Sequence, residues 1–138
     1  MPATPLVDRL RDHGWRMTSQ RQVIAEAMSG DHVHLTADEV LVKARQVLPK
    51  VSRATVYNTL NDMVAAGEVL ELTHGDGRKR YDPNVDEHHH HLVCVICGRM
   101  LDVAVDDPQL SADQRHGFEI LDVDVTFRAR CPDCIRAA

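Results

Sequence analysis

Two Cys-x-x-Cys pairs, Cys94/Cys97 and Cys131/Cys134, stand 33 residues apart in a 138-residue chain, and they constrain its folding more than any other feature. Two such chelating pairs can close a tetrahedral thiolate shell around zinc and leave no coordination position open, the arrangement of a structural site. An iron-sulfur centre or a pair of redox dithiols would draw on the same residues. Disulfides are the weaker reading. The Met1-Pro-Ala-Thr-Pro start has neither the basic nor the apolar region of an export signal, so the chain is expected in the cytosol, where thiols stay reduced. The pairs must be brought together by the strands between them. The part of the chain that carries them, from residue 84 onward, has roughly 55 residues, a size at which a metal or a partner subunit is usually needed to hold a fold. Zinc bound there would supply on the order of 10 kcal/mol of folding free energy.

Composition narrows the function. Hydrophobic content of 43% and charged content of 27% are those of an ordinary soluble globular protein. One medium domain or two small ones fit this length and would bury about 68% of the unfolded surface, which excludes a large multi-domain enzyme. No apolar run approaches the roughly 20 residues that span a bilayer. Aromatics make up only 4%, too few for a base-stacking platform or an aromatic cage. Residues 1–83 hold eleven Lys/Arg against eleven Asp/Glu, whereas residues 84–138 hold five against ten, so the net charge of -5 belongs to the second part. With a pI of 5.9, the chain is no globally basic nucleic-acid binder, and any DNA contact must come from a local patch.

Leu6, Val7 and Leu10, followed by Gly14, predict a short helix over residues 4–13. Thr18 is placed to cap a second, in which Val23, Ile24, Ala27 and Met28 recur at helical spacing before Ser29-Gly30 ends it. Thr36-Ala-Asp-Glu39 is a capping box opening a third helix that runs to about Val47. Pro49 breaks that helix, and Ser52 caps a fourth, whose stripe is Val56, Leu60, Met63 and Val64 and which Gly67 ends. Residues 69–73 and 78–82 read as strands around the turn signal His74-Gly-Asp-Gly77, a β-hairpin. Together these make a winged helix-turn-helix over residues 1–82. Residues 83–86, opening with Pro83, read as a hinge. A second domain fills 87–138, with strands expected at 91–94, 100–105 and 120–127 and a short helix within 108–116.

The run His88-His-His-His91 leads directly into Cys94. In an extended segment His89 and His91 share one face and His88 and His90 the other, so each face offers a pair of imidazoles. Asp82 and Asp102 add carboxylates, a mixed N/O set suited to Fe(II), Mn(II), Zn(II) or Ni(II) and poor for Cu(I). On the fourth helix Arg53, Thr55, Tyr57, Asn58 and Asn61 lie off the apolar stripe and can face DNA. Arg and Asn suit base edges in the major groove, while Arg16, Arg21, Lys50 and the run Arg78-Lys-Arg80 suit phosphates or a minor groove.

Several elements resemble the ferric uptake regulator (Fur) family of bacterial metalloregulators across essentially the whole chain. They are Gly14-Trp-Arg-Met-Thr-Ser-Gln-Arg21, His34-Leu-Thr-Ala-Asp-Glu39, Ser52-Arg-Ala-Thr-Val-Tyr57, Arg80-Tyr-Asp82, the histidine run into Cys94-x-x-Cys97, and Cys131-Pro-Asp-Cys134. The resemblance implies an α/β (α+β) chain with an N-terminal winged helix-turn-helix and a small C-terminal α/β dimerisation domain built on an antiparallel sheet. It implies a cytoplasmic homodimeric repressor that binds a double-stranded DNA operator, with structural Zn(II) on the four cysteines and a second, regulatory metal bridging the domains. Carried over by position, the regulatory ligands are His34, Asp82, His89, His91 and Asp102. Aspartate at 82 is similar to the peroxide-sensing branch, where the iron-uptake branch more usually has glutamate. A zinc sensor often has a cysteine near the hinge, which this sequence lacks. The further site of some members would draw on His88 and His90, an acidic residue and a later histidine, and no histidine occurs between Phe118 and Cys131.

The expected function is a non-enzymatic, metal-dependent repressor in which Fe(II) or Mn(II), with Zn(II) or Ni(II) as alternatives, draws the winged helices into DNA-binding posture. Peroxide would act by oxidising a ligating histidine. Regulation of iron, nickel or zinc uptake is the alternative within the family. No membrane and no small-molecule substrate other than peroxide is expected. A small non-haem hydrolase or oxygenase would use the same His/Asp cluster with an open coordination position, but it lacks an obvious general base and has no need of the Arg53 to Asn61 helix face. A redox switch running on the four cysteines is a third reading.

Overall fold

The computed structural model describes residues 4–30, 32–73, 77–85 and 88–138. It divides into two compact units, Met1–Glu87 and His88–Ala138, so residues 83–85 of the expected hinge group with the first. Residues 74–76 of the expected hairpin turn and residue 86 of the expected hinge lie outside the described residues.

The first unit runs α1 (Leu6–Asp12), α2 (Ser19–Ala27), β1 (Leu35–Thr36), α3 (Ala37–Val47), α4 (Arg53–Ala65), β2 (Leu70–Thr73) and β3 (Lys79–Asp82). Short polar side chains start three of the helices. Thr18 Oγ1 accepts the Arg21 amide, and Ser52 Oγ accepts that of Thr55. Thr36 and Glu39 exchange side-chain and backbone bonds of 3.2 and 3.1 Å, closing the capping box. Helices α1 and α4 both end in Schellman motifs. Gly14 and Gly67 adopt φ of +90° and +75°, and the amides of Trp15 and Glu68 bond back to Leu10 and Met63. Leu10, Ile24, Val40, Val56, Leu60 and Met63 pack into one core with Tyr81, where each large apolar side chain contributes roughly 1.5–3 kcal/mol. Tyr81 is held from both sides in an antiparallel sheet of order β1-β3-β2, opposite Leu35 and Glu71.

Strand β1 has no counterpart in the sequence reading. Two residues are too few for a period, and the pairing that defines it comes from β3, in the register Leu35↔Tyr81 and Thr36↔Arg80, 46 and 44 positions along.

The second unit contains β4 (His90–Cys94), β5 (Met100–Val103), α5 (Ala112–Arg115), β6 (Thr126–Ala129) and α6 (Pro132–Ala137). The expected antiparallel sheet is corrected here to a mixed one. Its order is β5-β4-β6, with β4·β5 antiparallel and β4·β6 parallel. The connection over residues 104–125 carries the chain from β5 past β4 to its other edge, where β6 runs alongside β4 rather than against it. The strand expected at 120–127 is corrected to Thr126–Ala129, which shares only residues 126 and 127 with it. Ile120 and Leu121 are exposed, so their apolar pattern does not report pairing within the chain. Helix α6, which starts after Cys131 with Pro132 in its first turn and has no side-chain cap, has no counterpart in the sequence reading. Among the described residues of this unit the buried hydrophobics are Val93, Cys94 and Met100, a core too small to stabilise it unaided.

Candidate metal centres and nucleic-acid face

The parallel register Cys94↔Ala129 brings the C-terminal ends of β4 and β6 side by side. Cys97 follows in the turn after β4, and Cys131 and Cys134 follow β6 in the first turns of α6. The four Sγ atoms lie within 4.8 Å of one another. The Cys131 amide donates to Cys94 Sγ at 3.3 Å, and Cys97 Sγ is 3.7 Å from Cys131 Sγ. A tetrahedral Zn–S₄ shell with bonds near 2.3 Å has sulfur–sulfur edges of about 3.8 Å, so the cluster fits zinc. None of the four is in a disulfide. Backbone amides aimed at it, that of Cys97 foremost, draw the Cys94 thiol down to about 6. Hydrogen bonding to the Cys131 sulfur, reinforced by burial, pushes Cys134 up to about 12. The cluster thus already stabilises negative charge on Cys94, the state a dication requires.

In the first unit, pairing of β1 with β3 sets His34, one residue before β1, against Asp82 at the end of β3. His34 Nε2 lies 3.3 Å from Asp82 Oδ2, with both residues buried. The other oxygen of Asp82 accepts the Asn84 amide at 2.8 Å, which fixes the carboxylate's rotation.

In the second unit the histidine run divides by face. The rings of His89 and His91 are 4.8 Å apart, and their Nε2 atoms stand 3.4 and 3.7 Å from one oxygen of Asp102, which is paired with His91 across β4·β5. His88 and His90, with rings 4.9 Å apart, meet Asp107 instead, at 2.9 and 2.6 Å. Bonds from His90 and then His88 hold the Asp107 carboxyl below its ordinary range. The Val125 amide donates to His90 Nδ1 at 3.1 Å, so in the neutral ring the proton sits on Nε2, toward Asp107. Asp107 was not singled out in the sequence, and no local spacing could single it out, since its partners are 17 and 19 residues away.

Of the residues expected to meet DNA, Arg16, Arg53, Tyr57 and Asn58 are exposed. Arg21 donates to the Arg16 carbonyl and lies 5.0 Å above the Trp15 ring. Thr55 differs: half-buried, its hydroxyl accepts from Ser52 within the cap of α4. Arg80 differs as well, being buried on β3, whereas Lys79 is exposed and bridges to Glu71 across the strands at 2.7 Å. Asp38, on the first turn of α3, is ion-paired with Arg53 on the first turn of α4, a contact the sequence reading missed. Among the described residues no helix is long and apolar enough to cross a membrane.

A winged helix-turn-helix followed by a small four-cysteine module defines a metal-binding regulator. The chain belongs to the Ferric uptake regulator family, whose model matches residues 12–128. It is 39% identical over 130 residues to the peroxide-responsive repressor PerR of Staphylococcus aureus strain USA300, covering 91% of this chain and 86% of that protein. Among solved structures, a zinc-bound manganese uptake regulator superposes with a TM-score of 0.74 at 29% identity, over 93% of this chain and 99% of the other. The iron-containing ferric uptake regulator of Francisella tularensis superposes with a TM-score of 0.72 at 27% identity, over 88% and 96%.

Proposed function

We propose that this protein is a cytoplasmic, homodimeric, non-enzymatic repressor that binds a double-stranded DNA operator when a regulatory Fe(II) or Mn(II) is held by His34, Asp82, His89, His91 and Asp102, and that peroxide relieves the repression. The observation that carries this reading is the chemistry of two donor groups. One is the buried His34–Asp82 pair on the winged-helix unit, and the other is His89, His91 and Asp102 on the metal-module unit. Three imidazoles and two carboxylates, with no thiolate, suit Fe(II) and Mn(II). The likeness to a peroxide-responsive repressor supports the sensing step.

Residues 1–82 would serve as the DNA-binding domain, 83–86 as the hinge and 87–138 as the dimerisation domain. When bound, Fe(II) supplies a bond to donors from both domains and reactivity toward peroxide. His34 and Asp82 hold the DNA-binding domain's share of the ligands, and oxidation of any of the three histidines removes a donor. Coupling of this kind is typically about 1–3 kcal/mol, so roughly tenfold in operator affinity suffices. Arg53, Tyr57 and Asn58 on α4 would meet base edges, with Thr55 setting the helix start and Arg16 and Arg21 near the backbone. Structural Zn(II) on Cys94, Cys97, Cys131 and Cys134 would hold the second domain. A second copy of the chain would cover exposed Phe118, Leu121 and Ile135 and present two reading helices to a palindromic site.

The test is operator binding by the purified protein loaded separately with Mn(II), Fe(II), Zn(II) and Ni(II), followed by a peroxide challenge. The Mn(II) and Fe(II) forms should bind, and peroxide should release the Fe(II) form while sparing the Mn(II) form. Operator affinity that is unaffected by Mn(II) and by His89→Ala would remove the mechanism. An Fe(II) form that withstands peroxide would favour a metal-uptake regulator, the reading supported by the manganese- and iron-regulator structures.

A further inference from the structure

The contact between Asp38 and Arg53 has no task in the fold. The capping box of α3 is complete without Asp38, since Thr36 and Glu39 supply both of its bonds. Ser52 caps α4 without Arg53. Both side chains are more than half exposed, at 65% and 60%, and exposed ion pairs contribute little to stability. Yet the position is electrostatically particular. Arg53 is the first residue of α4, where the positive end of the helix dipole disfavours a cation. Asp38 borders a groove of about 210 Å³ that Tyr57, Arg78 and Lys79 also line. A carboxylate on that basic rim repels phosphate, so it lowers affinity for DNA of any sequence.

We propose that Asp38 is a specificity-determining positioning residue: it holds the Arg53 guanidinium so that its remaining N–H edge meets a guanine of the operator, and its charge penalises DNA that lacks that guanine. This rests on the DNA-binding reading above. Asp38 takes only the Nη1 end of Arg53. Among the described residues, Nε and Nη2 are left for another acceptor, and a guanine presents O6 and N7 in the major groove at the spacing of two such donors. Holding a long, flexible side chain in one orientation beforehand removes part of the ordering cost that would otherwise blunt discrimination.

The experiment uses the full Mn(II)-loaded protein. A selection from random-sequence duplexes first yields the preferred operator. Affinities are then measured for that operator, for versions with each half-site guanine replaced in turn, and for a scrambled duplex. The proteins compared are the wild type, Asp38→Asn, Asp38→Ala, Arg53→Ala and the double variant Asp38→Asn/Arg53→Ala. Removing Asp38 should strengthen binding to the scrambled duplex while lowering the operator-to-scrambled ratio by about tenfold, the size of one good bidentate base contact. The loss should map to one guanine, and it should vanish in the Arg53→Ala background. The proposal is overturned if removing Asp38 strengthens binding to both duplexes equally, leaving the ratio intact, or if the ratio falls just as far without Arg53. Melting temperatures of the variants within a few degrees of wild type exclude an effect of misfolding. A wild type that selects no operator defeats the DNA-binding reading itself, an outcome separate from a selected operator whose discrimination ignores Asp38.

Discussion

Arg9 and Glu68, 59 positions apart, form a near-buried ion pair at 2.7 Å, and the same guanidinium donates to the carbonyls of Glu68 and Pro83 at 2.9 and 2.8 Å. One side chain on α1 therefore ties the turn after α4 to the residue that follows Asp82. With side chains only 12% and 18% exposed, loss of the cation takes a charged donor from a shielded carboxylate, whose other neighbour is His13 at 3.5 Å, and a donor from each of two carbonyls, of which that of Pro83 keeps the Val85 amide. Charge-assisted bonds of this kind are worth about 1.5–3 kcal/mol. Arg9→Met should therefore lower the stability of the protein by roughly 2 kcal/mol, a fall in melting temperature of about 10 °C for a domain of this size. Denaturant titration of the full chain measures it, and a change under 0.5 kcal/mol, the level of an ordinary surface substitution, would show that the tie carries no weight.

The four-cysteine cluster makes a prediction about protons. Cys94 is held at about 6 against an ordinary 9.0. Its folded-state value is depressed, so its contribution to stability is complete above pH 9 and is lost as the pH falls through 6. Cys134, raised to about 12, has the opposite sign, with a contribution present below pH 9 and lost as the pH rises through 12. Between those limits the metal-free protein carries Cys94 as thiolate and Cys134 as thiol. Zinc uptake at neutral pH should then displace the Cys134 proton and none from Cys94, and release should rise by about one proton as the pH is lowered through 6. Calorimetric zinc titrations in buffers of different protonation enthalpy count those protons. A release that stays constant from neutral pH to below 6 would contradict the ordering.

How much of this was legible in the sequence depends on how local each feature is. Thr18, Thr36/Glu39, Ser52, Gly14 and Gly67 mark helix ends through bonds spanning a few residues, so the four helices of the first unit could be read directly. The alternation of His88 to His91 is equally local, being a property of extended backbone. Strand β1, the parallel direction of β6 and the burial of Arg80 arise from pairings tens of residues apart, for which one sequence carries no pattern. The partners Asp38 and Asp107 were missed for the same reason: an acidic residue in a loop or on a helix surface has no distinguishing period until the fold supplies its neighbour.

Two groups of His and Asp in the second unit compete for attention as metal sites, and hydrogen bonding separates them. The Val125 amide occupies His90 Nδ1 and directs the Nε2 proton toward Asp107. A metal on that Nε2 would require the proton to move to Nδ1 and the bond from Val125 to break. The zinc-loaded protein should accordingly take up one equivalent of Mn(II). Asp82→Asn and His34→Ala should each weaken that uptake by more than about tenfold, at least the cost of disturbing a metal site's supporting contacts. Asp107→Asn should leave it unchanged. Manganese electron paramagnetic resonance of the titrated protein counts the bound ion, and a second equivalent that disappears with Asp107→Asn would assign a metal to His88 and His90.

The exposed apolar surface of the second unit bears on assembly. Leu121 and Phe118 are 87% and 75% exposed, in a unit whose buried hydrophobics among the described residues are Val93, Cys94 and Met100. Leaving such side chains in water forfeits roughly 1.5–3 kcal/mol each relative to burial, and a unit with so small a core gains most by covering them with a second copy. Replacing Leu121 by Asp would place a charge in the proposed contact between copies, and burying an unpaired carboxylate costs several kcal/mol. Leu121→Asp should therefore convert a species of twice the chain mass into one of the chain mass in sedimentation equilibrium, with the zinc content retained. Because a monomer presents only one reading helix, operator affinity should fall by at least about tenfold, the scale of a lost second foothold. A variant that stays at twice the chain mass would place the interface elsewhere on the molecule.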